Sequence, residues 1–342
     1  MSGPHDLFVR FTFDHPERAA AELRAALPSY VVDQVDWSSL RRVPGSVVDV
    51  ELRETEIDLL FSARLSSGRP VLFYILLEHQ SSVDRWMALR MLRYVVRQLE
   101  HWRQEHPGGG LLPVIIPVVL YHGPESPWTA PLQVEELFDV PSEGDQPERW
   151  RALVPRFEYR VDDLTAQRAE ALMARPGPPL VRLALLALRY GRSEELAERL
   201  PTWEALLLQL HAAPNGVDEL TVLFQYLLRV GNKAVQPTTA AVLKNVVGSQ
   251  RAEELMESWL DMHFERGRQQ GKAEGKAEGK AEGKAEGRAE SLLRILAVRG
   301  IHVDGTVRER IMSCTDITTL DQWFDRALSA TQLSDVFGDL TQ

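Results

Sequence analysis

Asp58, Glu78 and Gln80 are the residues whose types and spacing can do chemistry together. Glu78 ends the apolar run Val71–Leu77, where a carboxylate is costly unless it is paired or metal-bound. Asp58 lies ten residues before Gly68 and Glu78 ten after it. A turn centred on Gly68 would set the two carboxylates opposite each other across an antiparallel pair, on one side of the sheet. Gln80 shares that face for as long as the strand continues. Two like charges so placed repel, and a divalent cation with oxygen ligands relieves them. Mg²⁺, or Mn²⁺ or Ca²⁺ in its place, would then polarise a phosphodiester and activate a bound water. Gln80 would orient that water or a phosphate oxygen. The spacing also admits a plainer reading: acids at strand ends are commonly just solvated, and a one-residue slip would separate the two faces.

Other reactive side chains are fewer. Arg90, Arg93 and Arg97 recur at helical spacing just after the acidic pair; they suit backbone phosphate, or an ordinary solvated face. His79 should point away from Glu78, and His122, beside Gly123, reads as structural. No His-Glu-x-x-His, Gly-x-Ser-x-Gly or Gly-x-Gly-x-x-Gly pattern occurs. Gly267–Lys272 is one residue short of a phosphate-binding loop, and Ala273 stands where Ser or Thr is required. The single Cys314 excludes an internal disulfide and a cysteine-based zinc site, in keeping with a reducing, cytoplasmic setting.

The elements that must position the acids follow from the texture around them. Residues 6–40 read as helices, with Pro16 at a start and Pro28 at a stop. Val47–Leu52, Ile57–Leu65 and Val71–Leu77 read as a β-meander, with Ser66–Arg69 as the turn of its central hairpin. Asp84 to about His106 is an amphipathic helix. Val114–Tyr121 is a further strand, placed at an edge or bulged because Pro113 and Pro117 cannot donate to a ladder. A short strand is expected at Phe157–Val161, and helices over residues 163–260.

Gly-Lys-Ala-Glu then repeats four times over Gly271–Glu286, followed by Gly287-Arg288-Ala289-Glu290. A four-residue period stacks like charges on a helix, and each Gly costs about 1 kcal/mol relative to Ala. A solvated, marginal helix or linker is expected there, with a small helical region after it.

The chain has 342 residues and a net charge of −10. That balance is unusual for a binder of nucleic acid, although a local basic face suffices. The first 105 residues carry 13 Arg, no Lys and 15 acids, so most of the acidity lies downstream. No segment approaches a membrane span and no leader is visible at the N-terminus, so no membrane partner is expected.

Several motifs also recur in the order of a known family. Asp49-Val50-Glu51-Leu52-Arg53 with Asp58-Leu59-Leu60-Phe61, then Leu77–Ser82, Met87–Tyr94, and Leu112–Pro117 with Tyr121-His122-Gly123 resemble the Rpn family of recombination-promoting nucleases, also known as YhgA-like. The opening His5–Phe8 and Leu27-Pro28 are similar too. The resemblance covers roughly residues 5–165, and the repeat resembles that family's tails in composition.

It implies an α/β fold of PD-(D/E)xK type, a mixed sheet flanked by helices, and a metal-dependent DNA endonuclease linked to recombination. Asp58 and Glu78 would be the ligands, and Gln80 would stand where Lys is more usual. Asp6, Asp49 and Glu51 are candidates for a further acid.

The expected organisation is a nuclease-like domain over 1–162, a helical region over 163–265, a repeat linker over 266–290 and a helical end over 291–342. Self-association through that tail is a further expectation. The rival reading is an inactive or regulatory interaction protein that keeps the nuclease shell.

Overall fold

The computed structural model describes residues 3–43, 58–78, 83–108, 110–141 and 147–337; at positions 58, 74–78, 147, 233 and 258–282 it describes the backbone only. The chain divides into two compact units, Met1–Met256 and Glu257–Gln342.

The first unit opens with helices α1 (Pro4–Phe13), α2 (Pro16–Ala26) and the single turn α3 (Ser29–Val32), then strands β1 (Val35–Arg42), β2 (Asp58–Leu65) and β3 (Pro70–Glu78). Helix α4 (Met87–Glu105) leads to β4 (Val114–Tyr121), and the short α5 (Pro147–Arg151) to β5 (Arg160–Asp163). Helices α6 (Ala169–Met173), α7 (Pro179–Tyr190), α8 (Leu196–Arg199), α9 (Glu204–His211), α10 (Gly216–Val230) and α11 (Gln236–Val247) follow. Helix α12 (Ser249–Val298) runs on from them.

The strands form one mixed sheet in the order β1-β2-β3-β4-β5. β1, β2 and β3 are antiparallel neighbours. β4 is parallel to β3, joined through α4, and β5 is parallel to β4. Alternation along the strands gives the sheet two buried faces. Leu59, Phe61, Val71, Phe73, Val118 and Leu120 pack with α1, α2 and the leucine-rich α7–α10. Leu60, Leu72, Val119 and Tyr121 pack with Met87, Ala88 and Met91 of α4. The fold is thus an α/β mixed sheet between helical layers, followed by helices.

Two expectations are corrected. Residues 35–40, expected to continue a helical stretch, belong to the edge strand β1 (Val35–Arg42). Its register shifts between Asp36 and Arg41, which pair with Arg64 and Ser62, so Trp37–Leu40 bulge opposite Ala63 alone. The bulge hides the two-residue alternation that marks a strand.

β4, expected at an edge or bulged, lies between β3 and β5 and pairs with β3 in unbroken register. Its pairing with β5 begins only at Val118, just past Pro117, so that proline interrupts no bond to β5. The expected strand at Val47–Leu52 lies outside the described residues.

A buried polar group ties α2, β5 and the segment after α6 together. The Arg175 guanidinium donates to both Asp162 carboxylate oxygens at 2.6 and 2.7 Å and to Glu22 at 3.0 Å. Gln167 donates to Asp162 at 2.7 Å. Burial, with the Asp162 charge second, pushes the Glu22 carboxyl well above its ordinary range. Burial would raise Asp162 as well, but hydrogen bonds from Glu22, Arg175 and Gln167 outweigh it and hold Asp162 low.

The second unit has its own core. α13 (Gly305–Ser313), α14 (Ile317–Ala327) and α15 (Leu333–Phe337) pack with the end of α12 through Leu292, Leu296, Ile311 and Leu320. The α12 backbone is helical across the Gly-Lys-Ala-Glu repeat. The expectation of an unpacked repeat is corrected at its end: Ala285 and Ala289 are buried in this core. Asp304 caps α13 and Asp316 caps α14 through bonds to the Val307 and Thr318 amides. Such caps are worth about 1 kcal/mol each.

Candidate active site

The β2–β3 hairpin fixes the backbone of the acidic pair. Arg64 pairs with Pro70, and Gly68 N–H donates to Leu65 O at 2.7 Å. Ser66, Ser67 and Gly68 therefore make a three-residue turn, whose last position needs the positive φ of 81° that Gly68 supplies. That centres the hairpin on Ser67 instead of Gly68. Asp58 consequently pairs with Leu76, and Glu78 lies two residues further on. The predicted directly opposed pair is corrected to a diagonal one.

The diagonal keeps both positions on one face, because a two-residue step along a strand preserves the side. Diagonal neighbours lie about 7–8 Å apart, within the span of two carboxylates sharing an ion. It is the face of Leu60, Leu72 and Tyr121, the one α4 covers.

Glu78 ends β3 and pairs with Tyr121 at the end of the parallel β4, so its position falls at the carboxyl end of a parallel pair, where α/β sheets commonly bind ligands. Tyr121, fully buried, donates from its hydroxyl to Glu125 O at 2.9 Å. The Glu125 carboxylate accepts from Val83 N–H at 3.1 Å, fastening the chain after the acidic segment to the loop after β4. Gln80 and His79 lie outside the described residues, as do Asp49 and Glu51.

His122 follows β4, and the α1 residue His5 lies against it. Asp6, in the first turn of α1, accepts from Gly3 N–H at 2.7 Å through Oδ2. Its Oδ1 is buried with no hydrogen-bond partner among the described residues. His122 is buried with its ring centroid 4.9 Å from that of His5, whose Nδ1 is 2.8 Å from the Tyr226 hydroxyl.

The arginines of α4 separate. Arg90 is largely buried against Asp84 at 3.3 Å. Arg97 is half-buried, and Arg93 is exposed, its guanidinium 5.5 Å from the Tyr94 ring centroid. Sequence reasoning missed Arg85 and Trp86, which stack at 5.6 Å and are exposed at the start of this helix. The signal was present in the turn Asp84-Arg85-Trp86, where Trp86 falls outside the buried Met87–Met91 stripe. Residues 83–105 carry five arginines against three acids, a locally basic stretch in an acidic protein. Among the described residues no helix is long and apolar enough to cross a membrane.

The family described as "Putative transposase, YhgA-like" matches residues 3–218. Recombination-promoting nuclease RpnA of Escherichia coli K12 is 28% identical over 68% of this chain and 74% of its own. Recombination-promoting nuclease RpnD of Escherichia coli O157:H7 is 27% identical over 68% and 84%. The inactive recombination-promoting nuclease-like protein RpnE of strain K12 is 30% identical over 68% and 72%. No solved structure matches. The match over residues 3–218 places this chain in the YhgA-like family, among relatives named as recombination-promoting nucleases.

Proposed function

We propose that this protein is a metal-dependent DNA endonuclease that hydrolyses phosphodiester bonds in the course of recombination. The observation that carries the reading is the placement of Asp58 and Glu78 on one face, one strand apart, at the carboxyl end of β3. Two carboxylates suit a hard divalent cation such as Mg²⁺. When bound, such an ion supplies Lewis-acid stabilisation and a water of lowered pKa. Asp58 and Glu78 would hold it, and Gln80 would orient the water or a phosphate oxygen through its amide. Arg93, exposed on the covering helix, binds backbone phosphate of the same strand.

The inactive name of RpnE favours a second reading, an interaction protein that retains the shell. Plasmid cleavage with Mg²⁺, Mn²⁺ or EDTA separates the two. Cleavage is expected with metal and absent with EDTA. Asp58→Ala should lower the rate by about a hundredfold or more. No cleavage with any metal favours the interaction protein, and undiminished cleavage by Asp58→Ala refutes the site.

A further inference from the structure

A cleft of about 710 Å³ lies away from the acidic pair. It is walled by α2, the β1 bulge and Pro176–Pro178. Leu40 at its base packs with Leu59 and Phe61, so the cleft opens on the face opposite Asp58 and Glu78.

The bulge is held by its own polar groups. Asp36 accepts from Ser38 N–H and hydroxyl at 3.1 and 2.6 Å. The Ser39 hydroxyl donates to Asp36 O at 2.5 Å and accepts from Arg64 N–H at 2.8 Å. A bulge secured in this way re-aims side chains, and these four residues deliver Trp37 and Leu40 to the cleft.

The walls are equally fixed. Trp37 stacks on Phe73 with ring centroids 5.7 Å apart, and its Nε1 donates to Val32 O at 3.0 Å. Gly177, at φ 122°, approaches α2 so closely that a Cβ there would meet the Ala21 Cβ at 2.6 Å.

The charges point to what fits. Arg24 lies over the Trp37 ring at 5.1 Å and meets no carboxylate among the described residues. Arg41 Nη1 donates to the Ser38 and Leu40 carbonyls at 2.8 and 2.7 Å, which fixes its guanidinium and leaves its other edge for a ligand. His15 adds an imidazole, and Glu17 is the one acid of the lining. Guanidinium groups match phosphate through paired donors. The volume is that of a small-molecule site and far exceeds a bare phosphate. The proline wall offers apolar surface to a ring, and the indole offers its edge.

We propose that this cleft binds a nucleotide, its phosphate between Arg24 and Arg41 and its base against Trp37 and Pro176–Pro178. The same phosphate-sugar-base unit occurs as a free nucleotide and as the phosphorylated end of a strand. Isothermal titration of the full chain in EDTA, which prevents cleavage, distinguishes them. The probes are each common nucleoside monophosphate, a short phosphate-ended single strand and inorganic phosphate.

A nucleoside monophosphate or the strand should bind more tightly than inorganic phosphate. Arg24→Ala/Arg41→Ala should weaken that binding at least about tenfold. Arg24→Lys/Arg41→Lys should weaken it less, with an unchanged melting temperature in both variants. Tighter binding of the monophosphate identifies the free nucleotide, and tighter binding of the strand identifies its end. Absence of binding by both, binding indifferent to the alanine variant, or inorganic phosphate matching the nucleotides overturns the proposal. These readings stand apart from the cleavage assay, because no step of it is measured.

Discussion

Arg90 and Arg93 lie almost one turn apart on α4, yet one is paired under the helix with Asp84 and the other faces solvent. Arg93→Ala should weaken DNA binding about evenly across sequences and reduce the salt slope by about one, read by anisotropy titrations at several ionic strengths. Arg90→Ala should instead cost about 1 kcal/mol of stability in a denaturant melt, because it strips Asp84 of a partly shielded partner. Equal effects of both on the salt slope would show that burial does not divide their roles. Helical spacing put both arginines near the site, but spacing cannot tell which one an aspartate claims. The acidic pair was more legible. Its shared face followed from strand alternation, which a shift of two residues preserves. The exact partner did not, because Gly68 serves the last position of its turn and is off-centre.

At the level of elements, the strand and helix texture of β2, β3 and α4 was readable because each is apolar at its proper period. β1 was not, since its bulge breaks that period, and the place of β4 depended on where β5 begins to pair. Nor does sequence reveal that Glu22, Asp162 and Arg175 converge, as they come from distant segments. Their titration gives a testable pH profile. Glu22 is raised in the folded state, so its contribution is full below the unfolded carboxyl pKa and is lost as pH rises through the folded value. Asp162 is lowered, so its contribution is present above its unfolded pKa and lost as pH falls through the folded one. Melting temperature should therefore fall on both sides of a window between them. Glu22→Gln should flatten the alkaline arm and leave the acid arm in place. Asp162→Ala should cost about 3–5 kcal/mol by leaving Arg175 buried without its main partner. An unaltered alkaline arm in Glu22→Gln would remove Glu22 as its cause.

For the molecule as a whole, two units with separate cores should unfold separately. Ala289 is fully buried in the second core. Ala289→Asp should lower the calorimetric transition of residues 257–342 and leave that of the first unit where it was. A single transition displaced as one would argue for a shared core.

The repeat was recognisable at sight in the sequence, whereas the packing of its last alanines was not. Identical units have a consequence for inheritance. Should replication slippage add or delete one, the neighbouring unit supplies the same alanine to the same place, and neither core loses a residue. Only the spacer would change, by about 6 Å of rise and about 40° of turn per unit. Copy number in this segment is thus free to drift among descendants while both folded bodies stay intact.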